Sequence, residues 1–448
     1  MSASPLVPRS VCAGVAWPAL PDDRNAQMLA LQYQFEQSQW WPAERLQELQ
    51  LLQFSQVFQH AVATVPYYRE RFAPSAAGIT SWDQYRALPV STRRDVQQAG
   101  ADMHSAVVPP SHGAVITTQS SGSTGTPLVT RGTAWTQMLW HALLLRDHLW
   151  HGRDLSGKLA AIRSKTADGS VPDWGLATAA FKTGPSAVRS LSADLDEQVR
   201  WLATEDPDYI LSLATNLQAL ANRSCELGVR LPRLKQARTY GEMLRPEARG
   251  IVREAWGVEI ADSYSSEELG YIALQCPMSE HYHVQAESLI VEVLDANGAP
   301  CRPGEVGQIV VSTLHNFAMP LLRYASGDYA EVGAPCACGR GLPVLTRIVG
   351  RQRNMLLRPD GARYWPSFPS EAWADIAPIA QFQVVQKDRN SVELRIVAPR
   401  DLTSMETDLL LAALRDALGC AYRIALVRVA KMPRAAGGKY EDFICEAE

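Results

Sequence analysis

Short apolar runs alternate with helical patterns through the middle of the chain. The run Tyr209-Ile210-Leu211 is typical of a buried strand, and a helical pattern covers residues 215 to 228 after it. A second strand ends at Tyr240-Gly241-Glu242, a helix covers residues 246 to 256, and residues 259 to 264 predict a third strand. Strands that alternate with helices of this length predict a parallel α/β sheet, whose ligands bind beyond the carboxyl ends of its strands.

A different pattern begins near residue 285, where apolar and polar positions alternate as in half-buried strands. Residues Leu289 to Leu294 and residues 307 to 312 predict two such strands, and the turn sequence Asp295-Ala296-Asn297-Gly298 separates them. We therefore predict a β-rich subdomain over residues 285–350, at the end of a large N-terminal domain that spans residues 1–350.

The C-terminal residues 351–448 carry the patterns of a small α+β domain. Apolar and charged residues alternate over residues 392 to 396, as in a strand with one buried face. Thr403 and Glu406 form a capping box for a helix over residues 404 to 418. The fold class predicted for the whole chain is α/β, with a large first domain and a small second one.

Composition and charge narrow the class of protein. The chain has 448 residues and a formal net charge of −4 at pH 7, which gives no argument for nucleic-acid binding. No run approaches the length of about eighteen apolar residues that a membrane span needs. Residues 1 to 17 lack the hydrophobic core of a signal peptide. Eight cysteines are too sparse for a disulfide scaffold, and we expect a cytoplasmic protein of enzyme size.

One segment rich in serine and threonine, residues 117 to 127, fits no amphipathic period. Residues 128 to 130 predict a strand directly after it, which makes the segment a loop in a hairpin-like connection. Its glycines and its hydroxyl and N–H groups are suited to cradle an anion, and phosphate is the natural choice. The alternative is a solvated linker.

Cysteine and histidine are concentrated in two separate segments. Cys276, His281 and His283 lie in the first segment, and Cys336 and Cys338 lie in the second. Three thiolates and one imidazole satisfy a closed tetrahedral zinc site, which leaves no open position for catalysis. Both histidines point to one side if their segment is extended, so either of them can supply the imidazole. The alternative is a set of unrelated buried cysteines.

Six segments resemble, in order, the motifs of the adenylate-forming superfamily of acyl-CoA synthetases and peptide-synthetase adenylation domains. The segments are 120–127, 264–268, 304–309, 323–328, 350–351 and 438–439. The resemblance implies a large N-terminal adenylation domain of parallel sheets and helices, followed by a small mobile C-terminal lid domain.

Further details resemble the phenylacetate–CoA ligase-like branch of this superfamily. The signs are Val65-Pro66-Tyr67-Tyr68, the segment 316–324, and Cys-x-Cys-Gly-Arg at residues 336–340. The opening Gln39-Trp40 resembles capsule-biosynthesis-associated members most. Related members carry a structural zinc at matching positions. On that resemblance the zinc ligands are Cys276, His283, Cys336 and Cys338, with His281 as the alternative to His283.

The resemblance implies a two-step reaction. A carboxylate attacks the α-phosphorus of ATP, which releases pyrophosphate and leaves an acyl-adenylate. A thiol, usually that of coenzyme A, then displaces AMP. Such chemistry depends mainly on positioning and charge neutralisation. The small domain would swing about Arg353 between the two steps.

The resemblance also assigns roles to individual residues. The implied catalytic residues are Lys439, which would bridge the attacking carboxylate and the α-phosphate, Glu268, which would carry Mg²⁺, and Arg351. Asp328 would bind the ribose, and Tyr264 would flank the adenine. The full set of implied ATP-binding residues is Ser120, Ser121, Gly122, Ser123, Thr124, Gly125, Gly241, Glu242, Tyr264, Asp328 and Arg351.

Three positions depart from the superfamily pattern. Thr126 replaces the usual lysine of the loop, Ser265 replaces a glycine, and Glu267 replaces a threonine or serine beside Glu268. Glu267 would either add a metal ligand or repel phosphate. These changes keep open a nucleotide-binding scaffold that has lost activity. A P-loop kinase is disfavoured, because the sequence Gly-Lys-[Ser/Thr] is missing after the loop.

The acid itself is not readable from the sequence. Trp140, His141, Ser212 and Tyr240 are predicted to line its pocket, and the aromatic side chains suit a flat substrate, although core packing explains them equally well. The expected partners are a small carboxylic acid and coenzyme A, or in its place the phosphopantetheine of a carrier protein, or an amine. We expect no nucleic acid and no membrane span, and we allow for a homodimer.

Overall fold

Two compact units make up the chain, Met1–Ile348 and Val349–Glu448. The computed structural model describes residues 6–72, 78–119, 128–164, 166–351, 354–361, 363–364, 366, 368, 373, 375–432 and 440–447. Within these ranges, none of the helices is both long enough and apolar enough to cross a membrane.

The described helices and strands are numbered along the chain. The helices are α1 (Asp23–Ser38), α2 (Ala43–Thr64), α3 (Pro66–Phe72), α4 (Trp82–Ala87), α5 (Arg93–Ala99), α6 (Ala134–Trp150), α7 (Leu195–Glu205), α8 (Ala214–Leu227), α9 (Pro246–Trp256) and α10 (Ser404–Leu418). The strands of the first unit and its boundary are β1 (Val115–Gln119), β2 (Val129–Thr133), β3 (Leu159–Arg163), β4 (Gly169–Val171), β5 (Ser186–Ser190), β6 (Tyr209–Ser212), β7 (Gln236–Tyr240), β8 (Glu259–Ser266), β9 (Gly270–Gln275), β10 (Tyr282–Val284), β11 (Leu289–Leu294), β12 (Val306–Thr313), β13 (Tyr324–Val332) and β14 (Val344–Arg351). The strands of the second unit are β15 (Leu356–Leu357), β16 (Arg363–Tyr364), β17 (Gln381–Asp388), β18 (Ser391–Val397), β19 (Arg423–Arg428) and β20 (Phe443–Cys445).

Parallel strands form the centre of a twelve-stranded sheet, whose order is β11-β12-β13-β14-β10-β9-β8-β7-β6-β3-β5-β4. Strands β5, β3, β6, β7 and β8 are the parallel set. Helices α7, α8 and α9 each join one of these strands to another, as crossover connections between parallel strands require. Their apolar faces pack with the strands into one core, where Leu217, Val252 and Ile210 are fully buried. The predicted α/β fold with a parallel sheet is confirmed.

Antiparallel strands extend this sheet on one side. β8 pairs with β9, β9 with β10, and β10 with β14, while β12 pairs with both β11 and β13. The strands expected after residue 288 therefore form, and they continue the central sheet instead of building a separate one. Helix α2 covers this region with Phe54 and Phe58, which share a core with Ile309 and Leu321.

A hairpin leads directly into helix α6. Strands β1 and β2 pair antiparallel, with Gln119 opposite Val129, so the hairpin-like connection predicted here is confirmed in its two strands. The hydroxyl of Thr133 accepts a hydrogen bond from the backbone N–H of Thr136 in a capping box that starts α6. Helix α1 packs along α6, where Phe35 shares a core with Leu143.

The second unit contains a four-stranded sheet in the order β19-β18-β17-β20. β17 and β18 are antiparallel, and β20 and β19 lie parallel to them at the two edges. Helix α10 starts at the predicted capping box of Thr403 and Glu406 and ends at Gly419, whose φ of 61° is in the left-handed region. Its buried residue Leu414 packs with Val384 and Leu394 of the sheet.

Candidate active site

The carboxyl ends of two parallel strands bring predicted nucleotide contacts together. Tyr240, the last residue of β7, lies opposite Ser263 of β8, so Gly241 and Tyr264 follow at neighbouring positions. Gly241 has a φ of 72°, a conformation that glycine adopts without strain. The edge of the sheet at which α/β proteins bind ligands therefore carries these two residues.

Glu242 lies just beyond the same strand end, where it caps a helix. Its Oε2 accepts hydrogen bonds from the backbone N–H of Thr215 at 3.0 Å and from the Thr215 hydroxyl at 2.8 Å. Thr215 is in the first turn of α8, where a carboxylate is stabilised by the free N–H groups of the helix. This contact fixes the position of Glu242 beside the strand end.

Tyr264 and Asp328 are joined by a hydrogen bond, although 64 residues separate them in the sequence. The Tyr264 hydroxyl donates to Oδ2 of Asp328 at 2.7 Å. The two residues come from different strands, β8 and β13. The structure thus brings together two of the residues that the sequence comparison with adenylate-forming enzymes singled out.

Glu268 is paired with an arginine that the sequence analysis did not name. A guanidinium nitrogen of Arg93 lies 3.4 Å from Oε1 of Glu268, and the carboxylate side chain is only 8% exposed. The hydroxyl of Tyr324 is close by, where burial first and the Glu268 charge second raise its pKa. Arg93 opens the short helix α5, behind a capping box formed by Thr92 and Asp95. The capping box can be recognised in the sequence and predicts the start of α5. It does not predict which side chain Arg93 contacts.

A cavity of about 270 Å³ lies between α6, the β1–β2 hairpin and the strand ends. Trp140, His141, Glu267 and Glu268 all line it. The Trp140 ring packs against Tyr271, with the ring centroids 4.8 Å apart. The predicted pocket residues of α6 therefore share one space with the predicted magnesium ligand.

Two other residues predicted for the acid pocket do not line this cavity. Ser212 is fully buried at the end of β6, where its hydroxyl accepts a hydrogen bond from Nδ2 of Asn216 at 3.1 Å. Tyr240 packs with Tyr209 and Leu211 on a different face of the sheet strands. Trp140 and His141 line the cavity and these two residues do not, so the place of Ser212 and Tyr240 in an acid pocket stays a prediction.

Several predicted site residues lie outside the described part of the chain. Arg351 is described and half-buried at the end of β14, in the second unit. The undescribed ones are Ser120, Ser121, Gly122, Ser123, Thr124, Gly125, Thr126, Arg353 and Lys439.

A cluster of cysteine and histidine side chains forms a candidate metal centre. One ligand atom from each of Cys276, His281, His283 and Cys336 lies within 4.8 Å of the others. The two sulfur atoms of Cys276 and Cys336 are 3.8 Å apart. Tetrahedral Zn–S bonds of about 2.3 Å require a sulfur–sulfur separation of about 3.8 Å, so the residues fit a zinc ion. Burial lowers the pKa of His283 to about 4, which keeps the ring in the neutral form that binds metals.

The four residues that lie together in the structure differ from the four zinc ligands that the resemblance favours. Nε2 of His281 lies 2.9 Å from Sγ of Cys336, which places this histidine in the cluster together with His283. Sγ of Cys338 lies 3.3 Å from Nε2 of His283 but outside the four-residue group. The extended segment does turn both histidines to one side, so the alternation of side chains was the useful signal here.

The loop that carries Cys336 and Cys338 is held against the N-terminal helices. The Arg340 guanidinium lies between the rings of Trp40 and Trp150, at 4.9 and 4.4 Å from their centroids. Its Nε donates to Oε1 of Gln39 at 2.9 Å. The backbone N–H of Gly341 donates to the Gln39 carbonyl at 2.9 Å. These contacts join the loop to helix α6 and to the segment between α1 and α2.

Replacing Gly341 with alanine is expected to destabilise the protein by about 2 kcal/mol or more, since overpacking a tight site costs 1–3 kcal/mol. A Cβ atom at Gly341 would lie 1.7 Å from the Trp41 carbonyl oxygen, so backbone has to move. Gly250→Ala is the matched control, because a Cβ there meets nothing within 4 Å in helix α9. Urea unfolding should show a loss for the first variant and a small gain for the second. Equal stability of the two variants would refute the close approach at Gly341.

Comparisons with known proteins agree with this fold. No protein-family profile matches the chain. The phenylacetate-coenzyme A ligase of Thermus thermophilus is 24% identical over 437 residues, which cover 89% of this chain and 96% of the relative. The Escherichia coli enzyme of the same name is 25% identical over 334 residues, 70% of this chain and 73% of its own.

A solved structure extends the likeness to the fold. A 2-hydroxyisobutyryl-CoA ligase in its postadenylation state superposes with a TM-score of 0.74 at 20% identity, and the match covers 92% of both chains. That ligase is in complex with R3-HIB-AMP, which is a property of that protein. In sequence the chain is thus similar to phenylacetate-coenzyme A ligases, and it shares the fold of a solved acyl-CoA ligase.

Proposed function

We propose that the chain activates a carboxylic acid with ATP and transfers the acyl group to coenzyme A, as an AMP-forming ligase. The observation that carries this proposal is the arrangement at the strand ends. Tyr264 and Asp328 are hydrogen-bonded at 2.7 Å, and Glu268 lines a cavity together with Trp140 and His141. The names of the relatives, phenylacetate-coenzyme A ligase, support the same reaction.

Each described residue has a task in the first step. Asp328 would accept hydrogen bonds from the ribose hydroxyls, and Tyr264 orients that carboxylate through the bond between them. Gly241 and Glu242 follow the neighbouring strand end and would lie along the adenine. A magnesium ion, which takes one or two carboxylates plus phosphate oxygens, would neutralise phosphate charge when bound at Glu268.

Residues outside the described ranges, together with Arg351 and the cysteine–histidine cluster, complete the proposal. Ser120, Ser121, Gly122, Ser123, Thr124 and Gly125 would cradle the β- and γ-phosphates, and Arg351 would reach the ribose or phosphate. Lys439 would neutralise charge between the attacking carboxylate and the α-phosphate. Arg353 would be the hinge of the C-terminal lid between adenylation and thiol transfer. Cys276, His281, His283 and Cys336 would hold a structural zinc.

Acid-dependent exchange of labelled pyrophosphate into ATP tests the first step, with a panel of aryl, arylacetic, fatty and amino acids. Exchange with at least one acid is expected. Offering coenzyme A, a phosphopantetheine-loaded carrier protein or an amine to the active acid then separates the ligase from its two alternatives. No exchange with any acid would favour a nucleotide-binding scaffold and would remove the enzyme class altogether.

Arg93→Ala is expected to reduce exchange about tenfold to a hundredfold, since a hydrogen bond to a charged group is worth 1.5–3 kcal/mol. The loop lacks its usual lysine at Thr126, and Arg93 supplies a cation beside Glu268. We expect most of the loss to appear as a higher KM for ATP. Arg94→Ala, which removes the next side chain along the chain, is the matched control and should change little. Arg93→Lys should recover part of the activity, and equal effects of Arg93→Ala and Arg94→Ala would contradict this role.

A further inference from the structure

One histidine of the cavity is held in a single protonation form by its neighbour. Nδ1 of His141 lies 2.9 Å from a guanidinium nitrogen of Arg24. A guanidinium can only donate, so Nδ1 must accept and the ring proton must lie on Nε2. Burial first, and the Arg24 charge second, lower the pKa of His141, which also keeps the ring neutral.

The donating nitrogen of this ring faces no acceptor from the described residues. Nε2 of His141 has no hydrogen-bond partner in the parts of the chain that the structure describes, and His141 lines the cavity. Two other polar groups of the wall are already engaged, whereas the buried Nε of Arg131, which also lines the cavity, has no hydrogen-bond partner among the described residues. The Asn316 amide donates to the Arg131 carbonyl at 2.9 Å, and Nε2 of His315 bonds the Glu287 carbonyl at 2.9 Å. The Nε2–H of His141 is therefore a fixed donor that a ligand can use.

The size and lining of the cavity restrict that ligand. Its volume of about 270 Å³ is small for a ligand site, since typical pockets hold about 300–1,000 Å³. The rings of Trp140 and Tyr271 form an apolar wall beside His141. A compact acid fits this volume. Glu267 and Glu268 line the same space and disfavour a second negative charge.

We infer that His141 donates from Nε2 to a neutral acceptor oxygen, a hydroxyl or a carbonyl, on the acyl group of a compact acid, and that Arg24 positions His141 for this contact. The inference rests on the proposed function, because it describes the acid of the same reaction. His141 would touch the substrate, whereas Arg24, from helix α1, would act only through His141. The selected acid class is a small hydroxy or keto acid.

A site built around a fixed donor discriminates strongly against an analogue without the acceptor, because its own polar group is then left without a partner. The test uses the acid with the highest exchange rate in the panel and the analogue in which its acceptor oxygen is replaced by hydrogen. Wild-type protein should prefer the oxygen-bearing acid by about tenfold or more in kcat/KM. His141→Ala should reduce this preference to about onefold by raising the KM of the oxygen-bearing acid only.

Three further variants separate a contact from a structural role. His141→Gln keeps an N–H donor on a side chain of similar reach and should restore part of the preference. Arg24→Ala should weaken the preference about threefold without changing the KM for ATP. Arg45→Ala is the control for loss of a positive charge, since Arg45 is exposed and pairs only with Glu48 among its described neighbours. Thermal melting of each variant verifies that it is folded.

The outcomes are distinct. If no acid supports exchange, both the proposed function and this inference are refuted. If exchange occurs but the best acid has no acceptor oxygen beyond its reacting carboxylate, only the inference is overturned. The same holds if folded His141→Ala slows both acids equally, because His141 then serves a group that the two acids share.

Discussion

Replacing Glu268 with glutamine is expected to slow acid-dependent ATP–pyrophosphate exchange by about a thousandfold, since a metal at the phosphates supplies several kcal/mol and each 1.36 kcal/mol is tenfold in rate. The Glu268 carboxylate is nearly buried and faces the cavity that holds Trp140 and His141. A neutral amide is a much weaker magnesium ligand than a carboxylate. The loss should therefore persist at saturating ATP and be offset only partly by excess Mg²⁺.

Glu267→Gln is the matched control for this prediction. Glu267 is the adjacent residue, lines the same cavity and is exposed. If it only repels phosphate, exchange in Glu267→Gln should stay within about threefold of the wild-type rate or rise, because removal of one exposed charge changes the energy by less than 1 kcal/mol. Comparable large losses in both variants would show that the two carboxylates share the metal. A folded Glu268→Gln protein with wild-type exchange would contradict the proposed role of Glu268.

Removing the metal from the cysteine–histidine cluster is expected to lower the midpoint of thermal unfolding by about 10 °C or more, since structural zinc contributes folding free energy directly and 1 kcal/mol shifts the midpoint of a large domain by 2–4 °C. Cys276 is buried, and its sulfur lies 3.8 Å from that of Cys336. We expect metal analysis to find zinc in the wild-type protein and not in Cys276→Ser. Cys225→Ser, at an exposed cysteine on α8, should leave the zinc bound.

Absorption spectra of variants loaded with cobalt identify which residues bind the metal. With Co²⁺ in place of zinc, each coordinating thiolate adds sulfur-to-metal charge-transfer absorption. We expect the intensity of two thiolates, no change in Cys338→Ser, and loss of the d–d bands of tetrahedral cobalt in His281→Ala. A three-thiolate spectrum that Cys338→Ser reduces would restore the ligand set favoured by the resemblance. If the wild-type protein binds no metal, the proposed metal site is refuted.

The parts of the fold that local sequence determines were predicted well. The capping box at Thr403 and Glu406 specifies its own helix start, and α10 begins and ends where the sequence places it. The apolar run at Tyr209 and the helices after it gave the parallel sheet, because the spacing between such strands leaves room for one crossover helix. The relatives agree with the predicted superfamily and reaction, and the solved structure agrees with the predicted fold.

The contacts that depend on distant segments were not predicted. Arg93 reaches Glu268 across 175 residues, and no periodicity in the sequence records such a pairing. The hydrogen bond that the Ser212 hydroxyl accepts from Asn216 is a local one, and the place of Ser212 in the acid pocket stays a prediction. Both histidines of the segment 276–283 were known to share a side, whereas the loop that brings Cys336 to them is fixed by its contacts with Gln39.

Helix α6 is pinned at both of its ends and in its middle. The Thr133 capping box fixes the start, and the Trp150 indole fixes the end by donating to Gln39 at 2.7 Å. Between them, the buried guanidinium of Arg146 binds both oxygens of Glu287. A helix held at three places does not shift or tilt to suit a ligand. If the acid binds in the cavity that Trp140 lines, we expect a narrow substrate range that single substitutions at Trp140 widen.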